Sequence, residues 1–131
     1  MIIGVGVDIV KVERIERMVK RYGRRFTRKI YTDDEVAACE RRQRRLRATT
    51  SFEEYAARWA AKEAVMKALG TGWRQGVTFR DIENYNLPSG KPMVRLHGRA
   101  REIAGRLGGK AVHVSISHER EFAIAFVVLE G

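Results

Sequence analysis

The sequence predicts an α+β fold in which an antiparallel sheet packs against a long central helix. Three observations carry that expectation. Val112, Val114 and Ile116 alternate with His113, Ser115 and Ser117, the period of a strand with two unlike faces. Residues 122–129 follow after a short polar turn and are almost wholly apolar, which suits its antiparallel neighbour. Residues 51–69 form an uninterrupted helical stretch with a capping signal before it and Gly70 after it.

The elements can be justified in order. Residues 2–10 are β-branched and punctuated by Gly4 and Gly6, a buried strand that ends near Asp8. Residues 11–22 switch to helical spacing, with Val12, Ile15, Val19 and Tyr22 as the apolar stripe and Lys11, Arg14, Arg17 and Arg21 outside it. Thr32-Asp33-Asp34-Glu35 has the form of a capping box, so a helix should follow to about Arg42. Ser51-Phe52-Glu53-Glu54 repeats the signal and opens the longer helix, and Gly70 suits its left-handed stop. Between these helices, residues 41–47 carry five arginines and read as a solvated turn or a ligand-gripping loop. Strands over 77–86 and 93–96 flank the turn Leu87-Pro88-Ser89-Gly90-Lys91. A short helix over 98–107, stopped by Gly108-Gly109, precedes the last two strands.

A chain of 131 residues, 44% hydrophobic, is expected to make one domain with a core that needs no disulfide or metal staple. The single Cys39 excludes a disulfide framework and fits a reducing compartment. No apolar run approaches a membrane span of roughly 18 residues. The start lacks the basic flank of a signal peptide, so a cytoplasmic protein is expected. The net charge is +10, and 14 cations against 6 anions fall within residues 11–47, so most of the surplus is local. Such a block implies a polyanionic partner: nucleic acid, acidic membrane, a phosphorylated ligand or an acidic protein.

Three places could carry chemistry. Asp8, at the mouth of an apolar strand, needs a metal, a cation or a helix N-terminus, and alone it reads best as a cap for the first helix. Arg58 and Lys62 stand one turn apart on one helix face, a two-cation grip suited to phosphate, with Glu63 about 100° around. The plainer reading is an amphipathic helix with an exposed Glu63–Lys67 pair. Ala60, Ala61 and Ala64 would let something approach that helix closely. The row His113, Ser115, Ser117 is either a solvated face or the lining of a ligand groove.

Taken together these segments resemble a known family. Gly4-Val5-Gly6-Val7-Asp8, Trp59-Ala60-Ala61-Lys62-Glu63-Ala64 with Lys67-Ala68-Leu69-Gly70-Thr71-Gly72, and His113-Val114-Ser115-Ile116-Ser117-His118 are similar to the holo-acyl-carrier-protein synthases, the small bacterial 4′-phosphopantetheinyl transferases. The turn Gly90-Lys91-Pro92 is similar as well. The resemblance spans the chain in the right order and departs from the family at 41–50, where the connection is longer and Arg-rich.

The resemblance implies transfer of phosphopantetheine from coenzyme A to a serine of apo acyl carrier protein, with release of adenosine 3′,5′-bisphosphate. It implies Asp8 and Glu63 as Mg²⁺ ligands and Lys62 as a charge on the phosphates. Arg58 would hold coenzyme A's phosphates, helped by Arg44, Arg45 or Arg47. His113 and Ser115 would line the coenzyme A groove, and Gly90, Lys91 and Pro92 would shape its adenine end. Glu63 and His113 are both candidates for the base that deprotonates the serine. Arg14, Arg21 and Arg25, with Met18 between them, would dock the acidic carrier protein.

The family also implies a homotrimer with active sites at subunit interfaces, bringing the His113 row of one subunit toward Asp8 and Glu63 of the next. The residues supply a reason for assembly, because strand 122–129 is apolar on both faces. The alternative is a monomer whose helix 52–69 covers the second face. The rival from another class is a small basic nucleic-acid-binding module. Against it stand the 8% aromatic content, the absence of aromatics within the arginine run, and the lack of a nucleic-acid motif.

Overall fold

The computed structural model describes residues 1–46 and 51–131. The chain begins with strand β1 (Ile2–Lys11) and continues through helices α1 (Val12–Tyr22), α2 (Arg24–Ile30), α3 (Asp33–Leu46) and α4 (Ser51–Leu69). A 3₁₀ turn (Phe79–Asp81) leads into the hairpin β2 (Ile82–Asn86) and β3 (Pro92–Leu96). Helix α5 (Gly98–Arg106) precedes β4 (Ala111–His118) and β5 (Phe122–Glu130). The three long strands pair antiparallel in the order β1-β5-β4, and β2-β3 form a separate two-stranded sheet. This is the expected α+β arrangement, with α4 at its centre.

Helix α4 is apolar nearly all round, which fits a helix wrapped on every side. From Tyr55 to Leu69 every residue is buried except Glu63 and Lys67. The sheet covers one side through Ala123, Ala125, Val127 and Leu129 of β5, all buried. Strand β1 comes closer still. A Cβ on Gly4 would strike the Ala68 carbonyl oxygen, and one on Gly6 would strike that of Ala64. Only glycine permits this approach. The alanines of α4 therefore accommodate the protein's own first strand.

The opposite face of the sheet is open. The register places Val7, Phe126 and Ser115 in one row across it and Ile9, Ile124 and Ser117 in the next. Val7 is 50% exposed and Phe126 46%. Helix α4 covers the alanine side of β5 and leaves this second apolar side bare.

Several boundaries differ from the sequence expectation. Gly23, with φ at +54°, ends α1, and its amide caps on Val19 O at 2.8 Å. The chain then restarts as the seven-residue α2, so Arg25 belongs to a separate short helix and not to the first one. Helix α3 runs on to Leu46, so Arg41, Arg42, Arg44 and Arg45 extend a helix where a turn or loop was expected. No glycine or proline interrupts that segment. Arg47 lies outside the described residues, and the cap expected of Ser51 lies outside the described side chains. Residues 77–81 are not strand, because Thr78 and Asp81 cap one another and tighten the chain into the 3₁₀ turn. The Thr32–Glu35 capping box is present: the Thr32 amide donates to Glu35 Oε1 at 2.9 Å, and the Glu35 amide to Thr32 Oγ1 at 3.3 Å.

Candidate functional site

Gly4, Gly6, Asp8 and Val10 follow the period of two and share the β1 face that looks at α4. The two glycines admit the helix backbone, and Asp8 comes next along the strand. It arrives where α4 is not buried, at the stripe of Glu63 and Lys67, one turn apart. Lys67 Nζ donates to Asp8 Oδ1 at 3.3 Å and to the Val7 carbonyl at 2.8 Å. Lys67 thus pairs with the strand and makes no ion pair with Glu63. Asp8 does not cap α1, whose N-cap is Lys11 with no side-chain cap. Both plainer expectations for these residues are corrected.

Both carboxyls are shifted upward, and the charge of Asp8 contributes to the shift of Glu63. Burial pushes the Asp8 carboxyl above its ordinary value, while Lys67 and Arg14 pull the other way. Glu63 is also raised, first by burial and next by the charge of Asp8, against the Trp73 N–H, Lys67 and Arg14. Two partly buried carboxylates, one within the electrostatic reach of the other, are costly to keep ionised. A hard divalent cation would supply such charge, and a pair of carboxylates can hold Mg²⁺ when other oxygens complete its shell. No set of three or more His, Cys, Asp or Glu side chains converges among the described residues. The donor set therefore fits Mg²⁺ bound with water and substrate oxygens.

Lys62 is placed elsewhere. It is fully buried, and its ammonium donates to Glu35 Oε1 at 2.6 Å, to the Phe79 carbonyl at 2.9 Å and to the Ile82 carbonyl. Its three protons have three acceptors. Burial lowers its pKa and Glu35 counteracts that. Glu35 in turn accepts from the Asn84 amide at 3.0 Å and its side chain at 2.9 Å. Lys62 ties α4 to α3 and β2 and is sealed from the surface beside Glu63 where it was expected to meet phosphate. Lys67 is the lysine that reaches Asp8. The signal in the sequence was the period of two: small residues at 4 and 6 against Ala64 and Ala68 carry Asp8 onto the 63/67 stripe.

Arg58 lines a cavity of about 190 Å³ with Arg42, Gly90, Pro92, Ile116 and His118. Its guanidinium pairs with Glu54 at 2.8 Å, while among the described residues its buried Nε meets no partner, nor does Asn84 Oδ1 in the same cavity. Gly90 turns at φ +90°, which lets the Leu87 amide reach the Lys91 carbonyl at 3.0 Å. Lys91 itself is exposed. His118, which sequence reasoning did not single out, closes this cavity and meets Glu53 at 3.1 Å. His113 and Ser115 stand on the open sheet face, where His113 meets Glu130 at 2.9 Å. Within one chain they are on the opposite side of the sheet from Asp8.

Arg14, Met18 and Arg21 line a broad cleft of about 910 Å³ along α1, with Ile9 and Arg17. The Arg14 guanidinium lies 5.6 Å from the Trp59 ring centre, and Met18 is half-exposed. Arg25 is exposed on α2 and does not line the cleft.

The chain is similar to known proteins over its whole length. The chain is 49% identical over 131 residues to a holo-[acyl-carrier-protein] synthase of Solibacter usitatus, covering all of both chains. Its structure superposes on the holo-[acyl-carrier-protein] synthase of Neisseria meningitidis with a TM-score of 0.85 at 36% identity, again over all of both chains. A holo-(acyl-carrier-protein) synthase of Bacillus anthracis, solved in complex with CoA (3′,5′-ADP), matches with a TM-score of 0.79 at 39% identity, over 98% of this chain and 96% of that one. The family profile of the 4′-phosphopantetheinyl transferase superfamily matches residues 4–127, and the chain belongs to that family.

Proposed function

We propose that Asp8 and Glu63 hold a magnesium ion for the transfer of 4′-phosphopantetheine. The chain is an enzyme that moves this group from coenzyme A to a serine of apo acyl carrier protein. The serine hydroxyl gives up its proton, with Glu63 and His113 as the candidate acceptors, and its oxygen forms a bond to the phosphorus next to pantetheine. The bond from that phosphorus to the bridging oxygen breaks, and adenosine 3′,5′-bisphosphate leaves with the electron pair. A magnesium ion held by Asp8 and Glu63 would supply positive charge to the pyrophosphate. Lys67, already beside Asp8, adds a point charge on the same side.

The observation that carries this reading is the stripe of α4 left unburied between Glu63 and Lys67, where Asp8 arrives from β1. The cavity at Arg58 and Gly90 suits the nucleotide end of coenzyme A. Arg42 and Arg58 supply positive charge, while the free Arg58 Nε and Asn84 Oδ1 offer a donor and an acceptor. Arg58 and Glu63 are five residues apart, about 140° around the helix. One copy therefore presents the nucleotide cavity and the carboxylates on different sides.

That separation, with the open apolar face of β1 and β5, supports a homotrimer whose sites form between copies. The His113 and Ser115 row would then meet the carboxylates of a neighbour. The cationic cleft of Arg14, Met18 and Arg21 suits docking of an acidic carrier protein. We read residues 1–131 as one domain and place the protein in the cytoplasm, where its lone buried Cys39 stays reduced. Among the described residues no helix is long and apolar enough to cross a membrane.

The test is release of adenosine 3′,5′-bisphosphate from coenzyme A, dependent on added apo acyl carrier protein and Mg²⁺. Release without the carrier protein, or none at all, overturns the reading. Light scattering tests the assembly, since a particle of one chain mass overturns the trimer. Mixing inactive Asp8→Ala and His113→Ala subunits tests the shared site, because activity returns only when each site draws on two chains.

A further inference from the structure

Trp73 lies in the turn between α4 and the 3₁₀ segment and is 62% exposed. Burial of the ring therefore gives little reason for a tryptophan here. Its indole N–H is directed instead, donating to Glu63 Oε1 at 3.2 Å. The ring stands 5.9 Å from Phe79 at an angle of 58°. Phe79 stacks on Trp59 at 4.7 Å, and Trp59 on Phe26 at 6.1 Å. An aromatic column thus runs from the core to the edge of the site and ends on the indole.

The backbone of the turn is fixed as well. Gly70, Gly72, Gln75 and Gly76 all have positive φ. The Thr71 amide holds the Met66 carbonyl at 3.1 Å, and Arg99 Nε holds the Gln75 carbonyl at 2.9 Å. A non-glycine residue at φ +63° is a strained position that surrounding contacts must maintain. The turn delivers one donor to one carboxylate oxygen.

We infer that Trp73 is a positioning residue for Glu63, presenting that carboxylate to the divalent cation in one orientation. The inference rests on the reading of Asp8 and Glu63 as cation ligands. The indole N–H holds Oε1, so the carboxylate would meet the ion in one orientation and not turn freely. Outer hydrogen bonds to ligating groups typically change metal affinity by about ten- to a hundredfold. Trp73→Phe keeps the ring in the column and removes only the donor.

The experiment compares Mn²⁺ binding to wild type, Asp8→Asn and Trp73→Phe by electron paramagnetic resonance, with coenzyme A present. Mg²⁺-induced changes in tryptophan emission provide a second readout. Trp73→Phe is expected to bind Mn²⁺ about ten- to a hundredfold more weakly at an unchanged melting temperature. Wild-type emission should respond to Mg²⁺, whereas Trp73→Phe, which keeps the buried Trp59, should not. If Asp8→Asn loses Mn²⁺ while Trp73→Phe binds it like wild type, the positioning role is overturned and the metal reading stands. If Asp8→Asn binds Mn²⁺ as wild type does, the metal reading falls and the inference with it.

Discussion

Two lysines on one helix, five residues apart, live in opposite environments. Lys62 is sealed between α3, α4 and β2, with its charge matched by Glu35 and every proton taken by a carboxylate or carbonyl oxygen. Lys67 is exposed and reaches across to β1, where burial raises the pKa of its partner Asp8. The same residue type serves as a buried strut in one place and as an exposed charge beside the candidate site in the other. What separates them is the side of α4 they stand on, which the motif spelling does not show.

The comparison can be broken most directly at the carboxylates. Asp8→Ala and Glu63→Ala should each lower turnover by about a thousandfold, the scale of removing a preorganised charge-stabilising element. Their urea denaturation midpoints should stay close to wild type. Near-wild-type turnover in both would remove the site from this end of α4.

Lys62→Ala should cost about 3–5 kcal/mol of stability, because it strands the Glu35 charge in the interior. Lys67→Ala should cost under about 1 kcal/mol, as expected for an exposed pair, and should lower turnover instead. Denaturant titration and steady-state kinetics on the two variants decide the matter. Equal destabilisation by both would erase the distinction.

Reversing Arg14 and Arg21 to Glu should raise the apparent KM for acyl carrier protein and barely change that for coenzyme A. Added salt should erase much of the difference from wild type, because such charges act mainly on association. Equal weakening toward both substrates would give α1 a nucleotide role or signal misfolding.

The smallest effect concerns Glu83 beside the Lys62 network. Burial alone would raise its pKa, but the Thr32 hydroxyl, His97 and Arg95 outweigh that and hold it below the ordinary 4.5. The folded value is the lower one, so its contribution is present above pH 4.5 and fades as the pH falls through that lower value. Glu83→Gln should therefore lose less stability than wild type on acidification through this window. Parallel acid profiles would assign the acid sensitivity elsewhere.

Much of this was legible in the residues. The alternation of 112–117 and the apolar run 122–129 give β4 and β5, and the capping box at Thr32 gives the start of α3. Helix α2 escaped because Gly23 reads as a stop, and seven residues after a stop carry too few turns to show a period. The extension of α3 was hidden by its arginines, whose charge suggests a loop although Arg is a good helix former. At the site, Asp8 and Glu63 were legible from the family resemblance, and their coupling follows from geometry. Lys67 was masked by its spacing from Glu63, since an i,i+4 pair is the default for such residues on a helix. The burial of Lys62 depends on α3 and β2 arriving from distant parts of the chain, which no local pattern encodes.

Gly4 and Gly6 touch no candidate ligand residue, yet they act as the gauge of the site. With no side chain between strand and helix, the separation of β1 from α4 is set by backbone against backbone, a contact that cannot be compressed or loosened by a rotamer change. Asp8 is carried on the strand and Glu63 on the helix, so the span between their carboxylates is inherited from that contact. A methyl at position 6 would act as a shim, lifting the strand and widening the jaws two residues away. On the proposed reading of Asp8 and Glu63, the range of cation radii the site accepts would be set by two side chains that are not there.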